Sequence, residues 1–266
     1  MDLIRAMKSD WKKTKRTAFR CVVLLVPILF SLLIVAYIYG FKKDYTFQIK
    51  VYTIYFSTVG IALPMVGSIL TALNIMGEES AGDFRSMLTV PVSRSIVYFS
   101  KLFMIILATI MDMFISLGVL LAGMKFIYPD AIIQYGIFLQ GTILTTIGSL
   151  FLYGLYLIIS INFGLGPTIA VGVGGSVWGA LLQTGLGDHI WQFVPWAWSA
   201  RLGGIPCYLL KDFATFKNME NVDELLNSMF TKYIYIGVPT TLISFVGICI
   251  LGMLWFEKWE GRKVHQ

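Results

Sequence analysis

The chain has 266 residues, of which 57% are hydrophobic and only 14% charged. A soluble core needs far less apolar sequence, so most of the chain belongs in lipid. The net charge of +6 sits largely at one end, which fits membrane orientation and attraction to anionic headgroups rather than nucleic-acid binding.

Residues 1 to 20 form an amphipathic pattern when wound as a helix. Leu3, Ile4, Met7 and Trp11 fall on one side, and Arg5, Lys8, Lys12, Lys15 and Arg16 on the other. Such a helix lies along the inner membrane surface; the alternative is a solvated basic tail that only sets topology, against which Trp11 argues. The first apolar run, Cys21 to Gly40, follows a basic stretch as a signal peptide would, but it is too long and no small-residue cleavage site follows.

A crossing needs roughly 20 apolar residues. Hydropathy places spans near 21 to 40, 51 to 75, 96 to 124, 134 to 160, 168 to 187 and 232 to 256. Six spans put both termini on one side. Of the 21 Lys and Arg residues, thirteen fall before span one, between spans two and three, or after span six, so that side is cytoplasmic. The fold expected is an all-α polytopic membrane domain over 1–266. It comprises an interfacial helix (1–20), spans one to five (21–187), an extracellular or re-entrant segment (188–231), span six (232–256) and a cytoplasmic tail (257–266).

The loop after span two begins with Gly77, Glu78 and Glu79 and ends at Pro91 and Arg94. Its acidic start suits a helix N-terminus, and Phe84, Met87 and Leu88 at i, i+3 and i+4 make a narrow apolar face. Such a helix either inserts that ridge into a groove of a soluble partner or rests on lipid.

Asp112 is the one ionisable residue placed deep in a span. A carboxylate there costs at least about 2.5 kcal/mol. It is expected to bond Gln140 or Thr145, or to face water, substrate or a proton in a pathway.

Spans four and five are joined by Ile161 to Pro167, whose glycines and proline end one helix and start the next. Gly175 and Gly179 then have small-xxx-small spacing, which suits a close helix interface within the chain or with a partner.

The segment from Asp188 to Tyr233 is aromatic at first and acidic later. Trp191, Pro195, Trp196 and Trp198 are broken up by proline and glycine, so short re-entrant or interfacial helices are expected. They form the outer gate of a pathway or an aromatic belt at the headgroups.

The missing motifs matter as much. No phosphate loop is present, and the Gly172 to Gly175 run lies inside a span. His189 and His265 fall on opposite faces, and Cys21, Cys207 and Cys249 are scattered, so neither a catalytic triad nor a metal site is expected. The chain is expected to bind no cofactor and to be no enzyme.

Glu78 to Leu88, followed by Val90-Pro91-Val92-Ser93-Arg94 and then Lys101, resembles the coupling region of ABC-2-type permeases. Asp83 stands where that family usually has Thr or another small polar residue. The six spans, the amphipathic N-terminus and the broken segment before span six extend the resemblance over the whole chain. It implies that Glu78, Glu79, Gly82, Phe84, Arg85, Met87 and Leu88 form a helix docking on a cytoplasmic ATPase. Two copies of that ATPase would hold ATP-Mg, beside a second similar permease or a copy of this chain, in a bacterial plasma membrane.

Length, the lack of an ATPase domain and the Pro195 to Leu202 stretch most resemble the permeases of lantibiotic immunity transporters. That implies a peptide substrate, which Asp212, Glu220, Asp223 and Glu224 could attract at the outer mouth. Export of a drug, lipid or polysaccharide is an alternative cargo. A secondary transporter using Asp112 is the alternative class, but no internal repeat is evident.

Overall fold

The computed structural model describes residues 3–15, 17–82, 84, 87, 92–211, 213 and 222–261, with the side chains at 222–229 and 232 outside that set. The described residues form eight α-helices and no strand: α1 (Leu3–Lys13), α2 (Ala18–Ile38), α3 (Phe47–Ser80), α4 (Arg94–Ile127), α5 (Tyr135–Phe163), α6 (Leu165–Leu181), α7 (Pro195–Gly204) and α8 (Val222–Glu257). Short 3-10 turns at Gly185–Gly187, Trp191–Phe193 and Ile205–Leu209 flank α7.

Five helices are long and apolar enough to cross a membrane: α2, α3, α4, α5 and Tyr233–Glu257 within α8. The fifth expected span is shorter than anticipated. α6 has 17 residues, about 26 Å at 1.5 Å per residue, and it stops at Leu181 where a span to 187 is expected. The cause is Arg201. Its guanidinium donates to the carbonyls of Leu182 (2.8 Å) and Thr184 (2.6 Å) and to Asp188 (2.7 Å), so it satisfies the orphan carbonyls that end a helix. Thr184 is extended and its hydroxyl accepts from the Leu186 N–H, which starts the 3-10 turn.

The α5–α6 hairpin turns on one residue. Gly164 has φ 84, and its N–H closes on the Ser160 carbonyl. Only glycine adopts that backbone without strain. At the far end of α2, the half-buried Asp44 carboxylate accepts from the Thr46 N–H (2.9 Å) and hydroxyl (2.6 Å). The Thr46 hydroxyl bond holds Asp44 below the usual carboxylate range.

In lipid, close packing and polar contacts must do much of the work that water exclusion does for soluble proteins. Small polar residues accordingly recur within a largely apolar and aromatic interior. Thr71, Thr109, Thr142, Thr145, Thr168 and Ser176 are all buried, each bonded to the carbonyl four residues earlier. Ser31 on α2 meets the Ser116 hydroxyl on α4 at 2.7 Å, and the Tyr55 hydroxyl of α3 reaches it at 2.8 Å. The outward faces are apolar instead: Leu24, Leu29 and Leu33 on α2, and Ile243, Ile250 and Leu254 on α8, are exposed.

α7 is the centre of this arrangement. It enters between α3 and α5, where Ser199 donates to the Gly60 carbonyl (2.7 Å) and Tyr52 donates to the Gly203 carbonyl (2.9 Å). A Cβ at Gly60 would lie 2.4 Å from the Ala200 Cα, and one at Gly148 would lie 2.6 Å from the Ser199 nitrogen. The absent side chains let three backbones touch. Gly60 stands 13 residues into α3, about 20 Å along its axis, so α7 packs against the middle of α3 and not against its end.

Candidate functional site

α3 runs five residues past the expected end of span two, through Gly77-Glu78-Glu79-Ser80. Glu78 therefore lies in the last turn of a long helix, not the first turn of a new one. A carboxylate is unfavourable there, because the helix end carries partial negative charge. Two cations offset it. Lys101 Nζ donates to Glu78 Oε1 at 2.5 Å, and Lys13 Nζ donates to its two oxygens at 2.9 and 3.2 Å.

Lys101 also donates to Asp10 at 2.8 Å, and the Ser100 hydroxyl donates to the other Asp10 oxygen at 2.9 Å. Asp10, Glu78 and Lys101 are 6%, 4% and 3% exposed. Two acids and two bases thus form a neutral cluster that joins α1, α3 and α4. Buried pairs gain little net stability over apolar contacts, but losing one member leaves an uncompensated charge. The sequence motif contains Glu78 and Lys101. It gives no hint of Asp10, the one acid between residues 3 and 16.

Asp10 also fixes how α1 sits. The helix covers Leu3–Lys13 only, shorter than the expected 1–20 stretch, because the chain turns before α2 begins at Ala18; its Asp10 edge turns inward against α4 and Lys13 reaches Glu78. The linker to α2 is held by Arg20, which lies 4.9 Å over the Trp11 ring and donates to the Trp11 carbonyl at 2.7 Å.

The expected apolar ridge does not face outward. Phe84 and Met87 are each 3% exposed. The Phe84 ring meets Trp259 edge-on at 5.3 Å, within a cluster that includes Tyr98 and Phe256. Phe84 has φ 64, so the chain is not helical at this residue. The physical reason is the aromatic C-terminal end of α8, which covers the ridge from a distant part of the sequence. Arg94 ties the two ends by donating to the carbonyls of Glu257 (2.9 Å) and Trp259 (2.6 Å), and Ser95 donates to the Glu257 carboxylate (2.8 Å). Gly82 is exposed with φ 132, Glu79 is half-buried, and Ser80 and Ala81 are exposed. Arg85 and Leu88 lie outside the described residues.

Gly175 and Gly179 face Trp196 of α7. A Cβ at Gly175 would lie 2.0 Å from the Trp196 Nε1, and one at Gly179 would lie 2.5 Å from its carbonyl oxygen. That indole N–H donates to the Tyr156 hydroxyl at 2.9 Å. Pro195 opens α7 at its first turn, where its missing N–H costs nothing. Trp191 and Trp198 are buried together with Leu182, Leu202 and Ile205, and the Trp198 indole donates to the carbonyls of Trp191 and Gln192. These residues plug the gap around α7 and do not line an open mouth. Asp212 and Glu220, and the side chains of Asp223 and Glu224, lie outside the described residues.

Asp112 sits near the middle of α4 and is 6% exposed. Its Oδ1 has no hydrogen-bond partner among the described residues. Neither expected partner serves it: the Thr145 hydroxyl donates to the Gly141 carbonyl, and Gln140 is exposed. The Ser116 hydroxyl, one turn further on, is engaged by Ser31 and Tyr55.

A family model described as "ABC-2 family transporter protein" matches residues 6–174, a stretch containing the whole ion cluster and Asp112. No curated protein and no solved structure matches the chain. With more than half of its length matched, the chain belongs to the ABC-2 transporter family, as a multi-pass membrane permease that is not itself catalytic and pairs with an ABC ATPase component.

Proposed function

We propose that the chain is the permease subunit of an ATP-driven exporter, crossing the membrane six times with both termini in the cytoplasm. Two copies of a separate ATPase, carrying ATP-Mg, would act on the end of α3. A second similar permease, or another copy of this chain, would complete the pathway. The basic residues before α2, in the α3–α4 loop and after α8 support the orientation. α6, although short, supports a crossing at span five, which brings the count to six, because the Arg201-capped turn continues its path.

The observation that carries this reading is the Asp10–Lys101–Glu78 cluster directly beneath the exposed Ser80–Gly82 tip of α3. A force applied at that tip reaches α1 and α4 through charges that cannot separate cheaply. Glu79 and Gly82 belong to that tip. Phe84 and Met87 would brace it from within, with Arg85 and Leu88 completing the docking surface.

For the cargo we propose a lantibiotic or a similar cationic antimicrobial peptide, expelled from the bacterial membrane as self-protection. The resemblance of Pro195 to Leu202 to immunity-transporter permeases supports this, and so does the acidic stretch from Asp212 to Glu224. Trp191, Pro195, Trp196 and Trp198 would then be the outer gate in its closed form.

Cross-linked purification from the native membrane tests the assembly. Wild type should retain a Walker-type ATPase, and Ala81→Arg, at an exposed site, should lose it while the permease stays folded. Retention of the ATPase by Ala81→Arg would remove the α3 tip from the interface. For the cargo, neutral amides at Asp212, Glu220, Asp223 and Glu224 should lower peptide resistance, and unchanged resistance would rule the acidic rim out.

A further inference from the structure

α1 and α4 enclose a groove that the transport reading does not use. Its volume is about 440 Å³, and it is lined by Ile4, Met7, Lys8, Trp11 and Lys12 from α1 and by Met104, Leu107 and Met111 from α4. The walls are helical rows: Ile4, Lys8 and Lys12 follow at four-residue steps beside Met7 and Trp11, and Met104, Leu107 and Met111 lie at i, i+3 and i+7. The α4 row spans about 10 Å along the helix. The wall is apolar almost throughout, because the two lysines contribute their methylene stems while both residues remain exposed at the rim.

The charge around this groove is one-sided for a structural reason. Asp10, the acid of α1, is turned away into the Lys101 pair, and Lys13 is committed to Glu78. Arg5, Lys8 and Lys12 are exposed, and the ion pairs among the described residues leave them out. An apolar slot with cations only at its mouth, on a helix at the membrane surface, is complementary to one kind of molecule. We propose that the groove is a binding site for an anionic glycerophospholipid, with an acyl chain lying between α1 and α4 and the headgroup phosphate held by Lys8 and Lys12. The lipid would wedge α1 against α4 beside the ion cluster. The site rests on membrane residence and on the packing of α1, so it stands whether or not the ATPase docks at α3.

Native mass spectrometry of the full chain in a mild non-ionic detergent tests this, titrated with phosphatidylglycerol and, separately, with phosphatidylcholine of the same acyl chains. The expected result is a one-to-one phosphatidylglycerol adduct forming well below the concentration at which phosphatidylcholine binds. Lys8→Gln with Lys12→Gln should weaken phosphatidylglycerol roughly 25-fold, from about fivefold per lysine near a charged headgroup, and weaken phosphatidylcholine, whose ammonium already offsets its phosphate, by much less. Leu107→Trp keeps every charge but fills the slot, and it should abolish the one-to-one adduct. Met111→Trp blocks the same slot from the next turn, should Leu107→Trp fail to fold. Equal binding of the two lipids overturns the proposal. So does an adduct that survives the tryptophan variants with its charge preference intact, since the lipid would then be held by the basic surface alone.

Discussion

Lys101 and Glu78 meet at 2.5 Å between α4 and the last turn of α3, and Asp10 of α1 takes the other side of the same ammonium. Lys101→Met should therefore leave two buried carboxylates sharing only Lys13, whose side chain is 48% exposed. The expected cost is about 3–5 kcal/mol, the range for breaking a buried pair from one side. Asp10→Asn, Glu78→Gln and Lys101→Met together remove every buried charge and should recover most of that loss. Denaturant unfolding in detergent followed by tryptophan fluorescence compares the two. A triple variant as unstable as Lys101→Met would show that geometry, not charge balance, holds the three helices.

Gly60 and Gly148 make a second expectation, because a Cβ at either meets backbone of α7 that cannot move aside. Gly60→Ala and Gly148→Ala should each destabilise by about 1–3 kcal/mol or more, the usual cost of overpacking. Gly118, inside α4, has open space around its Cα, so Gly118→Ala should stabilise by up to about 1 kcal/mol through helix propensity. Opposite signs in thermal melts would confirm that α7 sits in contact with α3 and α5. Losses of equal size at all three glycines would argue against it.

The crossing helices were legible because about 20 apolar residues in a row leave few other structures open to the chain. Where prediction stopped short, the deciding contact came from far along the sequence. Gly77 to Ser80 reads as a loop because it is polar, yet it stays helical once Lys101 and Lys13 neutralise Glu78. Phe84 and Met87 read as an exposed ridge because Trp259 lies more than 170 positions away. Asp10 is one polar residue among many in a basic helix, and nothing local signals that it points inward. The tryptophans of 191–198 were visible as a cluster, but their burial depends on Gly60, Gly148, Gly175 and Gly179 opening room for α7.

Trp196 tests that last point. Its indole fills the space left by Gly175 and donates to Tyr156. Gly175→Leu should expel the ring and break that bond, whereas Tyr156→Phe should leave the ring in place and remove only its acceptor, at a cost of about 1 kcal/mol. Near-ultraviolet circular dichroism separates the two, with a large tryptophan change expected for Gly175→Leu and a small one for Tyr156→Phe. Equal spectra would mean that Trp196 is held by neither contact.

Asp112 is the opposite case to Lys101, an ionisable group near mid-span whose Oδ1 lacks a partner among the described residues. A carboxylate at this depth opposes folding by at least about 2.5 kcal/mol. Asp112→Asn keeps the shape and removes the ionisable group, so the melting midpoint should rise, by roughly 2–4 °C for each kcal/mol recovered. A fall would mean that the carboxylate has a stabilising partner. A rise accompanied by lost export would mark Asp112 as a group retained for transport against its own cost in stability, since functional sites commonly trade stability in this way. A rise with export intact would leave it a tolerated polar residue of α4, and the pathway would then have to be sought along the α7 faces.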